Sequence, residues 1–170
     1  TTGTSNVAVG TNALDANTTA SYNTAVGEAA LGANTTGASN VATGQASLTS
    51  NTTGANNTAL GVASLQANTT ASNNTAVGYG ALGANTTGAS NVAVGVNAGD
   101  ALTASFRNVA VGFGALTSDT LGGRTTAIGY GSLQTQNFTS GTYSYNVALG
   151  YNSGAAVTTG VQNTLIGGLA

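Results

Sequence analysis

The chain has 170 residues, of which 4% are charged, and a net charge of −2; ordinary domains carry roughly 25% charged residues. Arg107 and Arg124 are the only cations and no long apolar run exists, which excludes a clustered basic surface for nucleic acid and a span of about 18 apolar residues for membrane insertion. His and Cys are absent, which removes the commonest general bases, thiol nucleophiles and zinc ligands.

The first element is the stretch Ser5-Asn6-Val7-Ala8-Val9-Gly10, which the chain repeats to its end. The pattern Asn-Val/Thr-Ala-Val/Leu/Ile-Gly closes on glycines at 10, 27, 44, 61, 78, 95, 112, 129, 150 and 167, every step being 17 residues except one of 21. A fixed period this short is the signature of a solenoid, in which no coil buries its apolar face alone. Abundant Gly, Ser, Thr and Asn would suit a disordered linker, but a linker has no reason to hold Val and Leu at a constant phase.

Within the unit Asn74–Ser90, Asn-Thr-Ala-Val-Gly alternates at period two, which predicts a strand. Thr75 and Val77 then share one face, with Asn74, Ala76 and Gly78 on the other. Gly78 permits a bend, Tyr79–Leu82 is expected to form a second short strand with Leu82 as its anchor, and Asn85-Thr86-Thr87-Gly88 reads as a turn. The expected interior is the larger apolar set, represented by Val7, Val9, Val26, Val77, Val92, Val94, Val109 and Val111, with Leu82 and Leu116 as second anchors. That leaves an outward strip of Ala and Gly, whose continuity along a rod predicts self-association. The fold class is therefore all-β: a parallel β-roll solenoid of about ten coils of 17 residues, forming a single repeat domain over 1–170 with a four-residue insertion in the coil at 130–150.

The departures from the repeat are the candidate functional positions, since loops inserted into coils project from one face. The long coil contains Gln134–Tyr145, with Phe138, Tyr143 and Tyr145 as candidate contacts to a receptor or glycan. A tolerated insertion whose aromatics fold back on the roll is the favoured alternative, because a longer loop costs little. An aromatic column follows the closing glycine at Tyr79, Phe113, Tyr130 and Tyr151; it reads as packing in the core or at a subunit contact before it reads as a sugar platform. Arg107 and Arg124 stack on successive coils and are expected to face solvent or a neighbouring chain, with Asp119 as a possible partner.

The column Thr18, Thr35, Thr52, Thr69, Thr86, Thr103 and Thr120 raises ice binding. Thr18-Thr19 and its equivalents are adjacent, however, and on a strand would face opposite ways. Turn chemistry is the better account. The Asn-Thr-Thr glycosylation matches are expected from the same turn composition. No metal, cofactor or catalytic residue is predicted. Asp15 and Asp100 share a phase five coils apart, about 24 Å at ~4.8 Å per coil, and paired-carboxylate glycosidase chemistry needs about 5–9.5 Å.

The motif Ser-Asn-Val-Ala-Val-Gly resembles the Asn-Ser-Val-Ala-Ile-Gly repeat of YadA-like trimeric autotransporter adhesin heads. The longer match Asn74-Thr-Ala-Val-Gly-Tyr-Gly-Ala-Leu82 is also similar to repeats of phage tail-fibre proteins and large bacterial surface proteins. The resemblance implies a left-handed roll, a homotrimer, and an extracellular setting on a cell surface or virion. It also implies a non-enzymatic structural and adhesive role with a glycan or protein receptor. The repeat is longer than in the best-known heads, and no coiled-coil stalk or anchoring barrel is present. Thr1 is not a starting Met and no signal peptide precedes it, so the chain is read as a mature product, open to end-to-end assembly, or a segment of a longer protein.

Overall fold

A computed structural model describes residues 2–170. Its strands are β1 (Val7–Val9), β2 (Thr24–Val26), β3 (Val41–Thr43), β4 (Thr58–Leu60), β5 (Thr75–Val77), β6 (Val92–Val94), β7 (Val109–Val111), β8 (Gly122–Gly123), β9 (Thr126–Ile128), β10 (Thr142–Tyr143), β11 (Val147–Leu149) and β12 (Thr164–Ile166). Ten of them form one parallel sheet in the order β1-β2-β3-β4-β5-β6-β7-β9-β11-β12, while β8 and β10 pair separately. Each strand therefore hydrogen-bonds its own repeat one coil away, in register: Ala76 lies beside Ala93, and Ala93 beside Ala110. The chain is a parallel β-solenoid of about nine turns between its first and last sheet strands.

The inside and outside of the strand are the reverse of the sequence expectation. The central alanines Ala25, Ala42, Ala59, Ala76, Ala93, Ala110, Ala127 and Ala148 are buried and form one core cluster with Leu14, Leu31, Leu48, Leu65, Leu82, Leu116 and Leu133. Val7, Val9, Val92 and Val94 are exposed, and Val26, Val77, Val109 and Val111 are only partly covered. The reason is volume. A coil of 17 residues encloses a thin interior, and one Leu from the opposite wall reaches across it, so the facing strand has room for a methyl group and not for an isopropyl group. Leu82 and Leu116 are core residues as expected.

The wall opposite the strand is also not a second strand. It is a run of turns in which the residue two after the closing glycine and the Leu four after it both take left-handed backbone, as at Gly80 (φ 64) and Leu82 (φ 51). Left-handed backbone costs an L-residue about 1–2 kcal/mol, and full burial of Leu, worth about 1.5–3 kcal/mol, offsets it. The closing glycine is required for a different reason. Gly78 has φ 132, and a Cβ there would lie 2.5 Å from the carbonyl oxygen of Gly95 on the next coil.

Two asparagine columns hold the coils together. Asn74 Oδ1 accepts from the backbone N of Asn91 at 2.9 Å, while its Nδ2 donates to the carbonyl of Gly88 at 2.8 Å. Asn85 Nδ2 donates to the same carbonyl at 2.9 Å and to Asn68 Oδ1 at 3.0 Å. Buried amides stacked in this way satisfy one another and the turn backbone at once. The second column stops where its next position is Leu102, which leaves Asn85 Oδ1 buried without a partner. The same coil has Gly99 where most coils have Leu. Leu102 fills that space, its Cδ1 lying 3.0 Å from where a Gly99 Cβ would be.

Candidate functional site

The sheet turns its outer face to solvent along the whole stack: Val or Thr at the first strand position and Val, Thr, Leu or Ile at the third. Exposure reaches 56% at Val9 and 68% at Ile166. In the C-terminal half this apolar band is flanked by aromatic residues on both sides.

On one side lies the column after the closing glycine. Phe113 and Tyr130 stack with ring centroids 5.2 Å apart and planes 9° from parallel, and Tyr130 and Tyr151 stack at 5.3 Å and 15°. Tyr79, Phe113, Tyr130 and Tyr151 are all exposed, so the column does not widen the core. It is a surface ladder. Its ring faces cover one another and leave mainly edges to solvent, which is a poor arrangement for stacking a sugar.

On the other side lies the insertion. The four extra residues leave the main sheet undisturbed, since Ala127 still pairs with Ala148. They go into a corner, where β10 pairs in parallel with β8. The interior half of this segment is core. Phe138 is buried and so is not a surface contact. Its backbone N donates to Asp119 Oδ1 at 3.0 Å, as does that of Gly122. Gln136 Nε2 donates to Asp119 Oδ2 at 2.7 Å, and Gln136 Oε1 accepts from Asn146 Nδ2 at 2.7 Å. Asp119 is therefore a buried acceptor for the insertion, and the partnership with an arginine that the sequence suggested is not formed.

The exposed half carries the candidate site. Tyr143 and Tyr145 meet edge to face with centroids 6.2 Å apart, and Phe106 meets Tyr143 at 6.0 Å and 64°. The Arg124 guanidinium lies 4.2 Å from the Tyr143 ring centroid and 5.3 Å from that of Tyr145, and Arg124 Nη1 donates to the Tyr145 hydroxyl. Arg124 Nε is buried without a partner. Beside these residues, Ala104–Phe106, Leu121, Gly123 and Gly141–Tyr143 line a cleft of about 150 Å³.

Of the residues chosen from sequence, the structure thus brings Tyr143 and Tyr145 together, adds Arg124, and withdraws Phe138. It also adds Phe106, which the sequence reading missed. The signal was there: the residue two before the repeat Asn is small, Ser or Ala, in the earlier complete coils and becomes Phe at 106. Among the described residues no group of three or more Asp, Glu, His or Cys gathers as a metal site. Comparison with protein-family models, with curated proteins and with solved structures finds no match.

Proposed function

We propose that this chain is a non-enzymatic, extracellular rod or head that self-associates side by side as a homotrimer and presents a surface for attachment. The observation that carries the reading is the apolar outer band of the ten-stranded sheet. A continuous, at least partly exposed strip of β-branched and Leu side chains along the length of a stack is the kind of surface that marks association with a partner. Its natural partner has the same spacing along its entire length, and a second and third copy of the same solenoid meet that condition. The self-association expected from sequence is kept, but through the Val and Thr face in place of the Ala and Gly face. The family resemblance supports a left-handed roll and a place on a bacterial surface; a segment of a phage tail fibre for host recognition is the alternative setting. End-to-end stacking of coils into a fibre is compatible with either.

Ice binding is a minor alternative that the hydrogen bonding disfavours. Thr69 Oγ1 donates to the Thr86 carbonyl at 3.1 Å, and the same bond recurs along the column, so these hydroxyls are engaged within the stack. Sedimentation equilibrium tests the assembly, with three chains per particle expected. A monomer over a hundredfold range of concentration refutes it. Attachment is tested with Tyr143→Ala/Tyr145→Ala/Arg124→Gln, because deleting Gln134–Tyr145 also removes the buried Gln136 and Phe138. Reduced retention on target surfaces is expected, and unchanged retention removes the insertion from the attachment reading.

A further inference from the structure

We propose that the cleft between the Ala104–Phe106 corner and the Gly141–Tyr143 strand binds a pyranose bearing a carboxylate, its ring against Phe106 and Tyr143 and its charge toward Arg124. The inference deepens the attachment reading and rests on it for its biological role, though not for its chemistry.

Size is the first argument. A cleft of about 150 Å³, the volume of an engineered cavity that takes benzene, seats the ring of a pyranose and leaves its substituents outside the cleft. Shape is the second. Phe106 and Tyr143 meet at 64° and form an apolar corner, the kind of wall on which the C–H face of a sugar packs. Gly123 and Gly141 complete the lining without side chains; a Cβ at Gly141 would meet nothing within 4 Å, so that wall is open to an entering ring.

Charge is the third argument and selects the ligand. The molecule has two cations in 170 residues; neither forms the cleft wall, but the Arg124 guanidinium lies 4.2 Å from the ring centroid of Tyr143, which does. Arg124 is held against Tyr143 and Tyr145, and no carboxylate among the described residues pairs with it. Glu28 accepts from Gln45, Asp100 from Thr117 and Asp119 from Gln136, while Asp15 lies coils away. A partly desolvated guanidinium without an anion is costly, and planar carboxylate is the group its donor fork fits best. Asp119 lies on the core side of Gly122, with both oxygens already accepting hydrogen bonds.

Saturation-transfer NMR on the intact assembled protein tests the proposal, with glucuronic acid, N-acetylneuraminic acid and glucose as probes. A monosaccharide offers few contact atoms, so roughly millimolar affinity is expected. Glucuronic acid should bind about tenfold more tightly than glucose, as a charge-assisted hydrogen bond allows. Arg124→Gln should abolish that preference, glucuronic acid then binding no more tightly than glucose, whereas Tyr143→Ala should weaken all three sugars; circular dichroism verifies that both variants fold. Stronger binding of N-acetylneuraminic acid than of glucuronic acid supports the proposal and identifies a sialylated source. Equal binding of glucose and glucuronic acid by the unaltered protein overturns it. So does a structure of the assembled protein in which a neighbouring copy covers Phe106 and Tyr143. Attachment that excess acidic sugar fails to displace overturns the cleft's role while leaving the attachment reading intact. Sugar binding by a protein that attaches to no surface supports the cleft and refutes that reading.

Discussion

The inverted strand makes a sharp prediction at two adjacent residues. Ala76 is fully buried among the leucines, and Val77 is partly exposed on the outer face. Ala76→Val forces two extra carbons into a filled interior, which typically costs about 1–3 kcal/mol. Val77→Ala removes two carbons that are only partly covered, and at about 0.8 kcal/mol per buried carbon the loss within one chain is about 1 kcal/mol or less. Urea unfolding followed by far-ultraviolet circular dichroism measures both, since an array of stacked coils opens first at its weakest interface. The comparison should be run at several chain concentrations. A subunit contact through Val77 would make its cost rise with concentration, while the cost at Ala76 stays constant. A Val77→Ala penalty that exceeds the Ala76→Val penalty and ignores concentration refutes the assignment of inside and outside.

Other substitutions test the remaining devices of the coil. Gly78→Ala meets both an unfavourable φ and the Gly95 carbonyl at 2.5 Å, so a loss of about 3 kcal/mol in chemical unfolding is expected. Asn74→Ala deprives the Asn91 N–H of its acceptor and should cost about 2 kcal/mol, visible as faster amide exchange at Asn91. Gly99→Leu and Leu102→Asn should each destabilise alone, the first by a clash and the second by a void, yet together they rebuild the coil used elsewhere. A double-mutant cycle should show favourable coupling of about 1–3 kcal/mol; additive effects would show that Leu102 does not replace the missing Leu. No thermal hysteresis is expected at high protein concentration, and a clear freezing-point gap would return ice binding to consideration.

The period, the strands and the parallel stacking were legible in the sequence because each is stated many times over by the recurring Asn, Ala and Gly. What it hid was geometric. Ranking residues by hydrophobicity places Val77 inside and Ala76 outside, and only the width of the coil, fixed by Leu from the opposite wall, reverses that order. The turns around Leu82 were hidden for a related reason, since nothing in a Leu side chain announces left-handed backbone. The insertion was conspicuous by length, but length does not separate Phe138, folded into the core, from Tyr143, left outside. Phe106 became informative only once the pairing of β8 with β10 carried Tyr143 to it.

Because every sheet strand bonds to its own repeat one turn away, the hydrogen bonds of the sheet point along the rod. A tether pulling on the two ends loads them one coil at a time, as a zipper is opened, and never as a whole ladder in shear. Each released coil of 17 residues pays out roughly 55–60 Å of extended chain in place of a rise of about 4.8 Å. A single copy is thus built to yield under tension in small, equal steps, with one longer step at the insertion. In the proposed assembly, resistance to pulling comes from the outer sheet faces that the copies would press against one another.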